Sequence, residues 1–116
     1  MDLVLVMTLG SLVLAVASLA IGVGVHLLGL GRIASTGPLG LPGRRLREDA
    51  STCARAHRAA TPLAWLTASV AAIAALGSLI AAPQGAAAEW AVLVVLSAVV
   101  LAVGLTLATW RAHAAL

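Results

Sequence analysis

Apolar and polar positions along this chain separate into blocks rather than alternating. Residues 3–30, 62–82 and 91–110 are runs rich in Leu, Val and Ala with no charged residue inside them. A helix needs roughly 20 apolar residues to cross a hydrocarbon core of about 30 Å, so each run predicts one membrane-spanning helix. The first run, at ~1.5 Å per residue, would reach roughly 42 Å, which predicts tilt or emergence of its last turns. Continuous rather than period-two apolarity excludes a membrane β-barrel. The expected fold is therefore all-α, a single membrane domain over residues 1–116 with three transmembrane helices and a connector at 31–61.

Within the first run the small and polar residues keep helical register. Ser11, Ala15, Ser18, Gly22 and His26 are spaced four, three, four and four apart, a stripe that predicts close approach of a second helix. The second run offers a similar surface in Ala68, Ala72, Ala74, Ala75, Gly77, Ser78 and Ala81. Gly29, Gly31, Gly37, Pro38, Gly40, Pro42 and Gly43 break any helix after the first run. Helix is expected to resume at Asp49, whose carboxylate suits an N-cap. From there Ala50, Cys53, Ala54, His57 and Ala60 fall on one face, and Arg47, Ser51, Arg55 and Arg58 on the other. That pattern predicts a short amphipathic helix at headgroup level, ended by Thr61 and Pro62 as cap and first residue of the second span. Residues 83–88 form the turn to the third span, which Glu89 opens where a helix N-terminus favours negative charge.

Charge then orients the spans. Six of the seven basic residues, Arg32, Arg44, Arg45, Arg47, Arg55 and Arg58, lie in the connector, and Arg111 follows the third run. The positive-inside rule places connector and C-terminus in the cytoplasm, with the N-terminus and the 83–88 turn outside. Trp90 and Trp110, roughly 30 Å apart along a helix, are expected to bracket the third span as interface anchors, with Trp65 near the cytoplasmic end of the second. Ala15-Val16-Ala17 is a small-residue triplet of the kind that ends signal peptides. Asp2 is the only early charge, so the basic start of a signal is missing and the first run is expected to remain as a span.

Composition agrees: 62% of 116 residues are hydrophobic and 9% charged, with mean hydropathy +1.11. The sequence pI of 11.2 does not imply nucleic acid, because the arginines already have a role beside anionic lipid and no folded basic module accompanies them. All the basic residues are arginine, a usage suggestive of a GC-rich bacterial genome, so the expected location is the bacterial cell membrane. A single cysteine excludes an internal disulfide.

Candidate chemistry concentrates at Cys53 and His57, four apart and on one helix face. With His26 and His113 on the same side of the membrane they permit a soft metal site, although structural zinc sites draw on tight local pairs. The packing alternative has His57 packed or hydrogen-bonded at the junction of helix and membrane, and Cys53 as a small buried apolar residue. A nucleophilic site with Asp49 as third member fails on geometry, since consecutive turns aim such groups side by side and no oxyanion loop is present. Residues 40–45 lack the Lys-Ser/Thr ending of a phosphate loop. Apart from His26 no ionisable residue lies within a span, which argues against a pore in one chain. No catalytic residue and no cofactor are expected.

The segment GLPGRRLREDASTCARAHR, residues 40–58, resembles the signature of the SdpI/YfhL family of small bacterial membrane proteins, G-I-R-T-x-x-T-x-x-S-x-x-x-W-x-x-x-H-R between two spans. Gly40 matches its glycine and His57-Arg58 its closing pair at the same distance; Asp49 stands where the family has a capping Ser. Pro42 and Gly43 replace Arg-Thr, Leu46 replaces Thr, Cys53 holds the Trp position, and Thr36 stands where Asn is frequent. The resemblance covers residues 32 to about 82. It implies a non-enzymatic role in toxin immunity and signalling, with a peptide toxin or a cytoplasmic repressor as partner, and passes only Gly40, His57 and Arg58 to this chain as motif residues. The competing expectation is an accessory subunit of a larger membrane enzyme or transporter, since the small-residue faces of the first two spans accept helices of another chain, or of a second copy, as readily as each other.

Overall fold

A computed structural model describes residues 2–32, 40–42, 44, 46 and 48–116. Among these the regular structure is helical throughout: α1 (Leu3–Gly29), α2 (Ala50–Ala81) and α3 (Ala87–Ala114), with a 3-10 turn (Ala82–Gln84) before α3. All three helices are long and apolar enough to cross a membrane. The connector positions Thr36, Gly37, Pro38, Gly43, Arg45 and Arg47 lie outside the described residues.

Helix α2 is the centre of the bundle. It packs against α1 on one side and α3 on the other, while α1 and α3 barely meet. Its inner stripes are mostly alanine: Ala56, Ala60, Ala64, Ala68, Ala71 and Ala75 are all fully buried. Small side chains suit a membrane interior, where tails are as apolar as leucine and helix association depends on close backbone packing. Large apolar side chains go outward instead, Val13 on α1, Ile73 on α2 and Val92 on α3 being 69%, 70% and 66% exposed.

Two seams show how close that packing is. On the α1 side a Cβ at Gly22 would lie 2.8 Å from the Ala68 Cβ, and one at Gly29 would lie 3.0 Å from the Arg58 backbone. On the α3 side a Cβ at Gly104 would overlap the Thr67 side chain. Ser97 ties the same seam by donating its hydroxyl to the Ala71 carbonyl at 2.8 Å.

The end carrying the α2–α3 turn is held by a chain through all three helices. The Trp90 indole N–H donates to Ser11 Oγ at 2.9 Å, the Ser11 and Ser78 hydroxyls are 2.8 Å apart, and Ser78 reaches the Ala75 carbonyl at 2.6 Å. A hydroxyl has one proton to give, so the bonds run in one direction: Trp90 to Ser11, Ser11 to Ser78, Ser78 to the carbonyl. Each link polarises the next.

The boundary expected at Thr61 and Pro62 is absent. The expected amphipathic segment and the second span form one 32-residue helix with Pro62 inside it. Pro62 has no N–H for the Arg58 carbonyl, a loss that ends most water-exposed helices. Ala60 and Ala64, a turn apart across the proline, are both fully buried in one core, and the Thr61 hydroxyl turns back to the His57 carbonyl at 2.8 Å. Packing on both sides of the ring outweighs the missing bond, as neighbours allow in membrane helices.

Candidate functional site at the connector

Asp49 caps α2 as its sequence position suggests: its carboxylate accepts from Thr52 N–H at 2.7 Å and from the Ser51 hydroxyl at 3.0 Å. The Thr52 amide, followed by the Ser51 and Thr52 side chains, holds the Asp49 carboxyl below its ordinary range. One turn on, Cys53 and His57 face inward, both buried. The sharing of one helix face expected of them is present, with Cys53 Sγ 3.5 Å from His57 Nδ1.

The partners of the imidazole decide what this pair does. Leu41 N–H donates to His57 Nε2 at 3.0 Å. An amide gives a proton and takes none, so Nε2 is the bare nitrogen and Nδ1 carries hydrogen. Nδ1–H points at the Cys53 carbonyl, 2.8 Å away. Both ring nitrogens thus meet backbone atoms, and the one in-plane lone pair, on Nε2, is engaged by Leu41 N–H. His26 is exposed and its ring meets Trp65 edge-on, centroids 5.9 Å apart. His113 sits at the end of α3 with Nδ1 2.9 Å from the Thr109 carbonyl. Among the described residues no three His, Cys, Asp or Glu side chains converge, so the four-ligand constellation permitted by topology is not assembled.

Gly40 explains how Leu41 reaches the histidine. Its φ of 111° lies where a side chain is strained, and the turn it makes sends the chain inward. Leu41 and Leu46 are fully buried in a cluster with Val25 of α1, Ala56, Ala60 and Ala64 of α2, and Ala108 and Ala112 of α3. Each such leucine contributes about 2 kcal/mol relative to exposure. A buried irregular segment also brings backbone N–H groups that need acceptors, and His57 supplies one.

Arg58 fastens the other end of the connector. Its Nε donates to the Gly29 carbonyl at 3.3 Å, a carbonyl at the C-terminus of α1 where positive charge is favoured. Adjacent residues on α2 thus hold the connector's start at Gly29 and its inward turn at Leu41. Arg32, Arg44 and Arg55 are exposed around this platform.

Other sites fall as follows. Ser11, Ala15, Ser18 and Gly22 are buried, but His26 leaves the stripe, which continues through Val25 and Gly29 because a 3.6-residue period drifts away from fixed steps of four. Trp65 lies in the α1–α2 seam, its ring beside Gly22, and Trp90 is bonded into the bundle. Trp110 is 67% exposed. The two leucine plugs are absent from the sequence reading, which took Gly29 to Gly43 as a helix-breaking stretch and gave Leu41 and Leu46 no packing role. Their signal is two isolated leucines in a Gly, Pro and Arg setting.

Comparison of the chain with protein-family models, with curated proteins and with solved structures returns no match.

Proposed function

We propose that this is a non-enzymatic multi-pass protein of the bacterial cell membrane, similar in kind to SdpI-type immunity and signalling proteins, that acts by protein–protein contact. Its N-terminus lies outside, and its connector and C-terminus lie in the cytoplasm. The observation that carries the reading is the use made of His57 and Arg58. The pair that closes the family-like motif binds backbone at the connector's start and at its inward turn, so its chemistry goes into shaping a surface. That surface presents Arg32, Arg44 and Arg55 beside Glu48 and Ser51, a mixed polar face suited to a cytoplasmic repressor. Deleting the gene is expected to sensitise the cell to a peptide toxin, and His57→Ala to reproduce the deletion. Survival unchanged by the deletion sinks the immunity reading.

An accessory role in a larger membrane complex is the second reading. The small-residue faces of α1 and α2 that motivated it are largely buried within this chain, but α3 keeps most of its surface outward, Ala91, Ala98 and Ala102 included. Purification in mild detergent with mass determination of the intact assembly separates the two: a stoichiometric foreign chain establishes the second reading, a lone chain or homo-oligomer the first.

A further inference from the structure

Between α2 and α3 runs a groove of about 390 Å³, walled by Leu63, Leu66 and Val70 on one side and Val100, Val103 and Leu107 on the other. Its floor is where Gly104 lets Thr67 approach. Along α2 it extends over 63–70 and along α3 over 99–107, roughly 10–12 Å at ~1.5 Å per residue. That length lies within one leaflet, half of a hydrocarbon core of about 30 Å. Beyond Val99 an apolar depression continues along α3 through Leu96, Val95 and Val92 but without a wall from α2, so the two-walled part is a narrow trough of one leaflet's depth, suited to an acyl chain.

The α3 wall of the groove leads, one turn on, to a charged residue. Arg111 is four residues beyond Leu107 and so on the same face of α3; it is exposed, next to the exposed Trp110. Glu89, the acid of this helix, is at the opposite end, so nothing on α3 neutralises the guanidinium. An apolar trough one leaflet deep that ends at a guanidinium matches a lipid whose headgroup is anionic: tail along the trough, phosphate against a planar donor fork.

We propose that the α2–α3 groove binds one anionic phospholipid of the connector-side leaflet, with an acyl chain against Val103 and Leu107 and the phosphate on Arg111. The site requires that the three helices cross a bilayer, and is independent of which partner the connector meets.

The test is native mass spectrometry of the full chain released from bilayers containing equal phosphatidylglycerol and phosphatidylcholine. One phosphatidylglycerol retained per chain is the expected result. Arg111→Gln is expected to lower its occupancy about tenfold, the loss of a charge-assisted contact, and Arg111→Lys to retain part of it. Arg32→Gln, at the end of α1 across the bundle from α3, is the control for general attraction to basic surface and is expected to change occupancy by less than about twofold. Val103→Trp, at a position 55% exposed and so compatible with folding, is expected to fill the trough and abolish retention. Equal retention of the two lipids, or equal losses from Arg32→Gln and Arg111→Gln, overturns the site in favour of bulk electrostatics. A lipid-free dimer that Val103→Trp dissociates overturns it in favour of a second copy.

Discussion

The two ends of this bundle are closed by different means. At the turn end α2 and α3 are joined by a few residues, and three side chains, Trp90, Ser11 and Ser78, bond helix to helix to helix. At the arginine end the chain must return from Gly29 to Ala50, and it does so by burying Leu41 and Leu46 and giving Leu41 N–H an imidazole acceptor. A short link leaves little backbone to satisfy, so side chains serve to join helices. A long link folded inward creates its own polar demand, and the most versatile side chain in the segment answers it. The polar residues of greatest consequence to packing therefore mark where irregular backbone enters the core.

The ends differ enough to be broken separately. His57→Ala has the largest expected effect, roughly 3–4 kcal/mol, because it leaves an unfilled volume and an amide without its acceptor. Trypsin cleavage at Arg44 should accelerate, while Trp90 emission stays as in the parent. Leu46→Ala follows at about 2–3 kcal/mol from the buried methyl groups removed, read as a lower unfolding midpoint in detergent with the same loosening of the connector. Ser11→Ala acts at the other end and costs about 1–2 kcal/mol, since the Trp90 N–H loses its partner. It should shift Trp90 emission and leave tryptic cleavage unaltered; a change at Arg44 in this variant would mean the ends are coupled.

The smallest effect is a pH dependence at Asp49. Its carboxyl pKa is held below the ordinary 3.8 by the Thr52 amide first and by Ser51 next. A carboxyl with a depressed folded value stabilises the protein above the unfolded value, and that contribution disappears as pH falls through the folded one. Asp49→Asn keeps a capping oxygen, so the expected outcome is near-parental stability at neutral pH and a flatter stability curve below pH 3.8.

What could be read in the sequence was local or periodic. Three long apolar runs forecast three helices, Ser11 to Gly22 kept register with a buried stripe, and Asp49 stood before a helical pattern it does cap. What could not be read depended on distant residues. Pro62 reads as a helix start in isolation, and packing of Ala60 and Ala64 against Val25, Leu41, Leu46 and α3 carries the helix past it. Ser11, Ser78 and Trp90 are separated by 67 and 79 positions from Ser11, beyond any periodicity. Cys53 and His57 looked like paired chemistry because spacing gives proximity; which backbone atoms would occupy the ring nitrogens depended on how Gly40 turns the chain.

The unbroken passage of α2 through Pro62 has a mechanical meaning. At ~1.5 Å per residue its 32 residues measure roughly 48 Å, so about 18 Å stands clear of a hydrocarbon core of about 30 Å. The projecting part is the part that grips the connector. One continuous shaft therefore joins the spans to Leu41 and the surrounding arginines, with no hinge of irregular backbone between them.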